Sequence, residues 1–195
     1  SWKPCSDEPM YFDGTTGKDT LYFVRYAAVG DGDPSQVKEI VLPAKRSAPK
    51  VSYSSSTEMI NSLTTQMEVR IDDGPYEAVT GTSLSMSDVI NTIPDGSTMK
   101  VYVRYKATSK AQASEAATFT LRPRNQAPSG LTLNPVTLTL NGCTTAMEYK
   151  GEKDTSWRSI SSTSVSLESY AKGDGPATVL VRFKSTKDNA ASQPV

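Results

Sequence analysis

Apolar and polar residues alternate through Met99-Lys100-Val101-Tyr102-Val103-Arg104-Tyr105-Lys106, with Met99, Val101, Val103 and Tyr105 on one side and Lys100, Arg104 and Lys106 on the other. Thr178-Val179-Leu180-Val181-Arg182-Phe183-Lys184 keeps the same phase through Val179, Val181 and Phe183. A period of two with one charged face predicts a half-buried antiparallel strand. Thr118-Phe119-Thr120-Leu121, Glu39-Ile40-Val41-Leu42, Thr137-Leu138-Thr139-Leu140 and Met67-Glu68-Val69-Arg70 read the same way. Asp-Gly pairs at 13–14, 31–32, 73–74, 95–96 and 174–175 punctuate these segments, and that dipeptide supplies positive φ for hairpin turns. Helical periodicity is nearly absent. Residues 85–90 and 167–171 each predict a single turn. Short strands between dense turns predict an all-β, antiparallel β-sandwich architecture.

The strand pattern repeats about every 79 residues. Val24-Arg25-Tyr26, Val103-Arg104-Tyr105 and Val181-Arg182-Phe183 are in register, and Thr64-Thr65-Gln66-Met67-Glu68 matches Thr144-Thr145-Ala146-Met147-Glu148. An aromatic recurs at Trp2, Tyr76 and Trp157, and a serine at Ser35, Ser114 and Ser192. A fixed period of this kind predicts tandem units. The middle repeat predicts strands at 50–54, 59–64, 66–71, 76–79, 99–108 and 115–122. The register divides the chain into 1–47, the C-terminal part of an incomplete repeat; 48–126, a complete one; and 127–195, a repeat without its last strand. The missing strands come either from another chain or from the rest of a longer array. Residues 43–49 and 122–128 join the repeats. Each holds two prolines around a basic centre, which predicts semi-rigid spacers with solvated charge.

Lysine plus arginine equals aspartate plus glutamate, 21 each, with no long run of either sign. Nucleic acid is therefore not expected as a partner. No stretch approaches the roughly 20 apolar residues of a membrane span, so membrane insertion is not expected either. Histidine is absent, which removes the commonest general base and zinc ligand. Cys5 aligns with Val79 and Ile160, and Cys143 with Leu63, so both are predicted to be buried, unbridged hydrophobes.

The Thr-Thr-x-Met-Glu segment, the following hairpin and aromatic, and the Val-Arg-Tyr/Phe-Lys step resemble tandem repeats of secreted and cell-wall proteins of Gram-positive bacteria. Those repeats are similar to fibronectin type III or immunoglobulin-like sandwiches and sit beside catalytic and wall-anchoring modules. The resemblance covers nearly the whole chain but carries no site chemistry. It implies an extracellular, secreted or cell-surface location and neighbouring domains of the same long chain as partners. A cell-surface glycan or protein is a further implied partner.

No catalytic residue and no cofactor are expected. Asp72-Asp73 with Glu77 is the densest acidic cluster, but it lies in a predicted hairpin turn, where aspartate serves the backbone. Asp31-Gly32-Asp33 and Asp72-Asp73 offer oxygen ligands suited to calcium, yet they do not recur in all three repeats, so no metal site is expected. Glycan binding would use aromatics, with Trp157, Tyr76 and Trp2 as the foremost residues and Tyr53 and Tyr170 behind them. The sequence therefore predicts non-catalytic spacer repeats. The alternatives are an adhesive or carbohydrate-binding module and an accessory region orienting a neighbouring catalytic domain.

Overall fold

The computed structural model describes residues 2–5, 8–172 and 175–195. Its regular structure is antiparallel β with one short helix, in chain order β1 (Thr20–Val24), β2 (Lys38–Leu42), β3 (Ser52–Ser54), β4 (Met59–Asn61), β5 (Met67–Ile71), β6 (Glu77–Ala78), β7 (Ser83–Ser85), α1 (Ser87–Thr92), β8 (Met99–Tyr105), β9 (Ala117–Leu121), β10 (Thr132–Asn134), β11 (Thr139–Asn141), β12 (Met147–Gly151), β13 (Arg158–Ser159), β14 (Ser164–Ser166) and β15 (Val179–Phe183). Most of the alternating segments of the sequence became strands because each offers an apolar face every second residue, but at 137–140 only Thr139 and Leu140 join β11, since Leu138 turns the chain with a φ of 49°. Of the Asp-Gly turns, Asp174 lies outside the described residues.

The chain forms two compact units. The first comprises Ser1–Val51, Leu63–Thr82 and Val101–Thr118, and the second Ser52–Ser62, Ser83–Lys100 and Phe119–Val195. In the first, β1 pairs with β2, with Leu21 opposite Val41 and Phe23 opposite Glu39. Here β6 pairs with β5, and β5 with residues 101–105 of β8. Leu63, Met67, Val69, Val79, Val101 and Val103 are buried in this unit. Val101 and Val103 are the inward positions of the predicted alternation, while Lys100 faces out.

The second unit contains the three-stranded sheets β3-β4-β7 and β10-β11-β14, together with β13-β12-β15. Its buried cluster is Leu140, Cys143, Met147, Ile160 and Val181, with Leu131, Tyr149, Val165, Leu167 and Phe183 packed against it. Ser52 pairs with Asn61 and Tyr53 with Ile60 in one sheet. Thr132 pairs with Asn141 and Leu133 with Leu140 in the other. Gly142 needs its lack of a side chain, because its φ is +81° and a Cβ would sit 2.5 Å from the Gly130 carbonyl oxygen.

Three expectations require correction. Cys143 is buried, but Cys5 is exposed, although its register matched buried Val79 and Ile160; both thiols are free. The aligned turn segments also diverge, and only the first departs from its expected single turn. Residues 87–92 form α1, whereas at 167–171 the backbone makes hydrogen-bonded turns, from Tyr170 N to Leu167 O and from Ala171 N to Glu168 O. Finally, the basic centres of residues 43–49 and 122–128, expected to be solvated, are not. Lys45 Nζ lies 3.2 Å from Asp13 and 3.5 Å from Glu115. Arg46 donates to the Lys106 carbonyl at 2.7 Å and covers the Tyr105 ring at 4.9 Å. Arg124 is held by Glu58, Ser87, Asn91 and the Ala191 carbonyl. Long arginine side chains find these partners because a guanidinium carries five donors in a planar fork.

Candidate functional site

The three aromatics singled out by the sequence each lie against an arginine of the Val-Arg-Tyr/Phe segment. Arg25 stands 4.2 Å from the Trp2 ring centre, Arg104 3.5 Å from Tyr76 and Arg182 4.0 Å from Trp157. A guanidinium over an aromatic face is held by the ring's quadrupole. Two of these arginines are also charge-paired across the sheet. Arg104 is directly opposite Glu68 in the β5–β8 register, and Arg182 directly opposite Glu148 in the β12–β15 register. The Nε-to-Oε1 distances are 2.7 and 2.8 Å. A second cation from the same face joins the Tyr76 and Trp157 rings. Arg70 lies 5.0 Å from Tyr76 and 4.4 Å from Tyr102, and Lys150 lies 5.3 Å from Trp157.

The geometry follows from strand alternation. Glu68 and Arg70 project from one face of β5, and Tyr102 and Arg104 from the same face of β8. The aromatic just before β6, or just before β13, then folds over them. Trp157 and Tyr76 are half-buried by this packing, and Trp2 is half exposed. Each ring is therefore built on its own arginine. Of the other aromatics, Tyr53 packs on Phe119 with ring centres 6.3 Å apart, and burial pushes its hydroxyl pKa up.

Tyr170 takes part in a separate arrangement. Its hydroxyl donates to Asp154 Oδ2 at 2.7 Å, the Gly151 N–H donates to the same oxygen at 3.1 Å, and the ring meets Tyr149 edge-on at 6.3 Å. The Tyr170 hydrogen bond, then that of Gly151, holds the Asp154 carboxyl below its ordinary range. Burial first, then the bond to Asp154, raises the Tyr170 hydroxyl. The ring also explains Gly151, where a Cβ would sit 2.6 Å from Tyr170 Cε1. Gly151, Asp154 and Tyr170 line a cavity of about 420 Å³ with Glu152, Lys153 and Pro176.

The recurring serine has a backbone role that the sequence marked without explaining. Ser114 Oγ accepts from Tyr105 N at 2.9 Å and donates to Glu115 O at 2.6 Å. Ser192 does the same with Phe183 and Gln193, and Ser35 with Tyr26 and Gln36. Each one satisfies backbone groups where the strand after the Val-Arg step turns.

The residue that sequence reasoning missed is Arg124. Its Nη1 and Nη2 each lie 2.5 Å from a Glu58 carboxylate oxygen, its Nε donates to Asn91 at 2.7 Å, and Nη1 also donates to the Ala191 carbonyl at 2.9 Å. The only trace in the sequence is an arginine between prolines. Glu58 itself has a positive φ of 57°. Burial pushes the Glu58 carboxyl up, but hydrogen bonds from Arg124 and Ser87 and the Arg124 charge outweigh it and leave the pKa lowered.

The acidic segments serve turns. Gly74 N donates to Ile71 O at 3.0 Å across Asp72-Asp73, and Gly32 N to Val29 O at 3.2 Å beside Asp31. Among the described residues, no group of three or more cysteine and carboxylate side chains is placed to hold a metal ion. Among the same residues, no helix is long and apolar enough to cross a membrane. No protein-family model and no curated protein matches the chain.

Proposed function

We propose that the chain is a run of tandem immunoglobulin- or fibronectin type III-like sandwich repeats that act as non-catalytic spacers. In this reading they hold apart and present other modules of a secreted or cell-surface bacterial protein, and their partners are neighbouring domains of the same chain. The observation that carries it is the chemistry of the linkers. A tether that only connects leaves its charges in water. Here Lys45, Arg46 and Arg124 are committed to fixed contacts, and Arg124 joins residues 58, 87, 91 and 191 through one guanidinium.

The matched strand registers support the repeat organisation. Glu68 opposite Arg104 and Glu148 opposite Arg182 occupy equal places in their sheets. The stacked aromatics support a structural role over a ligand platform, since Tyr76 and Trp157 each meet two cations of the sheet beneath.

Limited proteolysis with trypsin tests this reading. Lys45, Arg46 and Arg124 are cleavable in an open tether, because exposed, weakly ordered segments are where proteases cut. The linkers of the native chain resist cleavage under conditions that digest the denatured chain. Rapid cutting after Arg46 or Arg124 in the native protein would count against a built-in spacer.

A further inference from the structure

The cavity of about 420 Å³ beside Tyr170 is built where the second unit departs from the strand pattern of the first. In β5, Ile71 stands opposite Val101; at the matching place in β12, Gly151 stands opposite Val179. The turns that follow close alike, from Gly74 N to Ile71 O and from Asp154 N to Gly151 O, both at 3.0 Å. Glycine thus stands where the first unit has a large apolar side chain, and aspartate where it has a turn glycine. The Tyr170 ring fills the space over Gly151, where a Cβ would sit 2.6 Å from Cε1. A break in an otherwise regular pattern is where a site is expected.

The lining has the mixture that small polar ligands need. Tyr170, Pro176 and Ala177 give apolar surface, and Glu152, Lys153 and Asp154 give polar groups. The Tyr170 hydroxyl, the Gly151 N–H and Arg158 Nη2, the last 3.7 Å away, all meet Asp154 at Oδ2. They fix the carboxylate, whose side chain is still 29% exposed, and leave Oδ1 to accept from a ligand. Glu152 N donates to Thr178 O at 3.0 Å, which joins the 175–178 side of the cavity to the 151–154 side. The carboxylates of Glu152 and Asp154 are balanced by the cations of Lys153 and Arg158. Such a site selects against free cations and free anions alike.

We propose that this cavity binds a neutral saccharide of mono- or disaccharide size. Sugar hydroxyls donate to Asp154 Oδ1 and to the Glu152 carboxylate and accept from Lys153 Nζ. The C–H face of the sugar ring lies against Tyr170 and Pro176, which removes apolar surface from water. The inference rests on the cavity alone, so it stands or falls separately from the spacer reading. It also places sugar recognition away from the arginine-stacked Trp157 and Tyr76.

The test titrates the full chain with glucose, N-acetylglucosamine and cellobiose, followed by amide chemical shifts in nuclear magnetic resonance. Saturable shifts at Gly151, Glu152, Lys153 and Thr178 are expected with at least one of these sugars. Asp154→Ala and Glu152→Ala each weaken binding about tenfold, through loss of a charge-assisted hydrogen bond. Glu152 is exposed, so its variant carries the test should Asp154→Ala fail to fold. Val136→Ser, at a residue 91% exposed and outside the lining, leaves binding unchanged. No saturable shift with any of the sugars, shifts centred on Trp157 or Tyr76 instead, or affinity indifferent to both lining variants overturns the proposal. So does saturable binding of methylammonium or acetate at the same amides while no sugar binds, since that assigns the cavity to a charged ligand.

Discussion

Arg124 closes on Glu58 with both terminal nitrogens, each 2.5 Å from a different carboxylate oxygen, and the two side chains are only 14% and 15% exposed. An exposed pair would contribute little. This one is shielded and bidentate, so removing one partner strands the other in a poorly solvated place. Arg124→Ala is expected to destabilise the protein by about 2–3 kcal/mol, from the lost charged hydrogen bonds and the uncompensated carboxylate. Chemical denaturation measures it, and Glu58→Gln, which keeps part of the hydrogen bonding, costs less.

The same pair sets a pH dependence. The folded-state pKa of Glu58 is lowered. A carboxylate of this kind contributes stability that is present above its unfolded pKa, about 4.3, and is lost as pH falls through the lower folded value. Asp154 shifts in the same direction. The melting temperature is therefore expected to fall below about pH 4.3. In Glu58→Gln that acid-side fall is shallower, and an identical fall in both proteins would remove Glu58 as its source.

The two thiols are expected to differ in reactivity. Burial raises the pKa of Cys143, while Cys5 is exposed. Since the thiolate is the reacting form, a thiol reagent modifies Cys5 promptly in the native protein and Cys143 only after denaturation. Prompt modification of both in the native state would contradict the described core.

The arginine stacks yield a coupling prediction. A double-mutant cycle on Trp157→Ala and Arg182→Ala is expected to give an interaction of about 0.5–1 kcal/mol, the size of a partly exposed cation–π contact. Additive effects would mean that the 4.0 Å approach contributes no stability.

Much of the fold was legible because strand signals are local. The alternation at 99–106 and 178–184 became β8 and β15, and Thr-Thr-x-Met-Glu led into β5 and β12. β7 escaped notice, since Ser83-Leu84-Ser85 is too short to display a period. The aromatics were visible as a recurring position, but their arginine partners were not, because the contact depends on cross-strand register. Arg124 lies 66 residues from Glu58 in sequence, and composition alone placed it in a spacer. Cys5 shows the opposite error, where register predicted burial and the local structure leaves the thiol exposed.

Arg124 locks the 122–128 segment in place, and a distance distribution within the second unit probes that lock. Spin labels at Ser83→Cys and Glu152→Cys, both exposed positions of the second unit, are measured by pulsed electron resonance in a Cys5→Ser background. The account predicts one narrow distribution that broadens in Arg124→Ala. A distribution as broad in the parent protein as in the Arg124→Ala variant would contradict it.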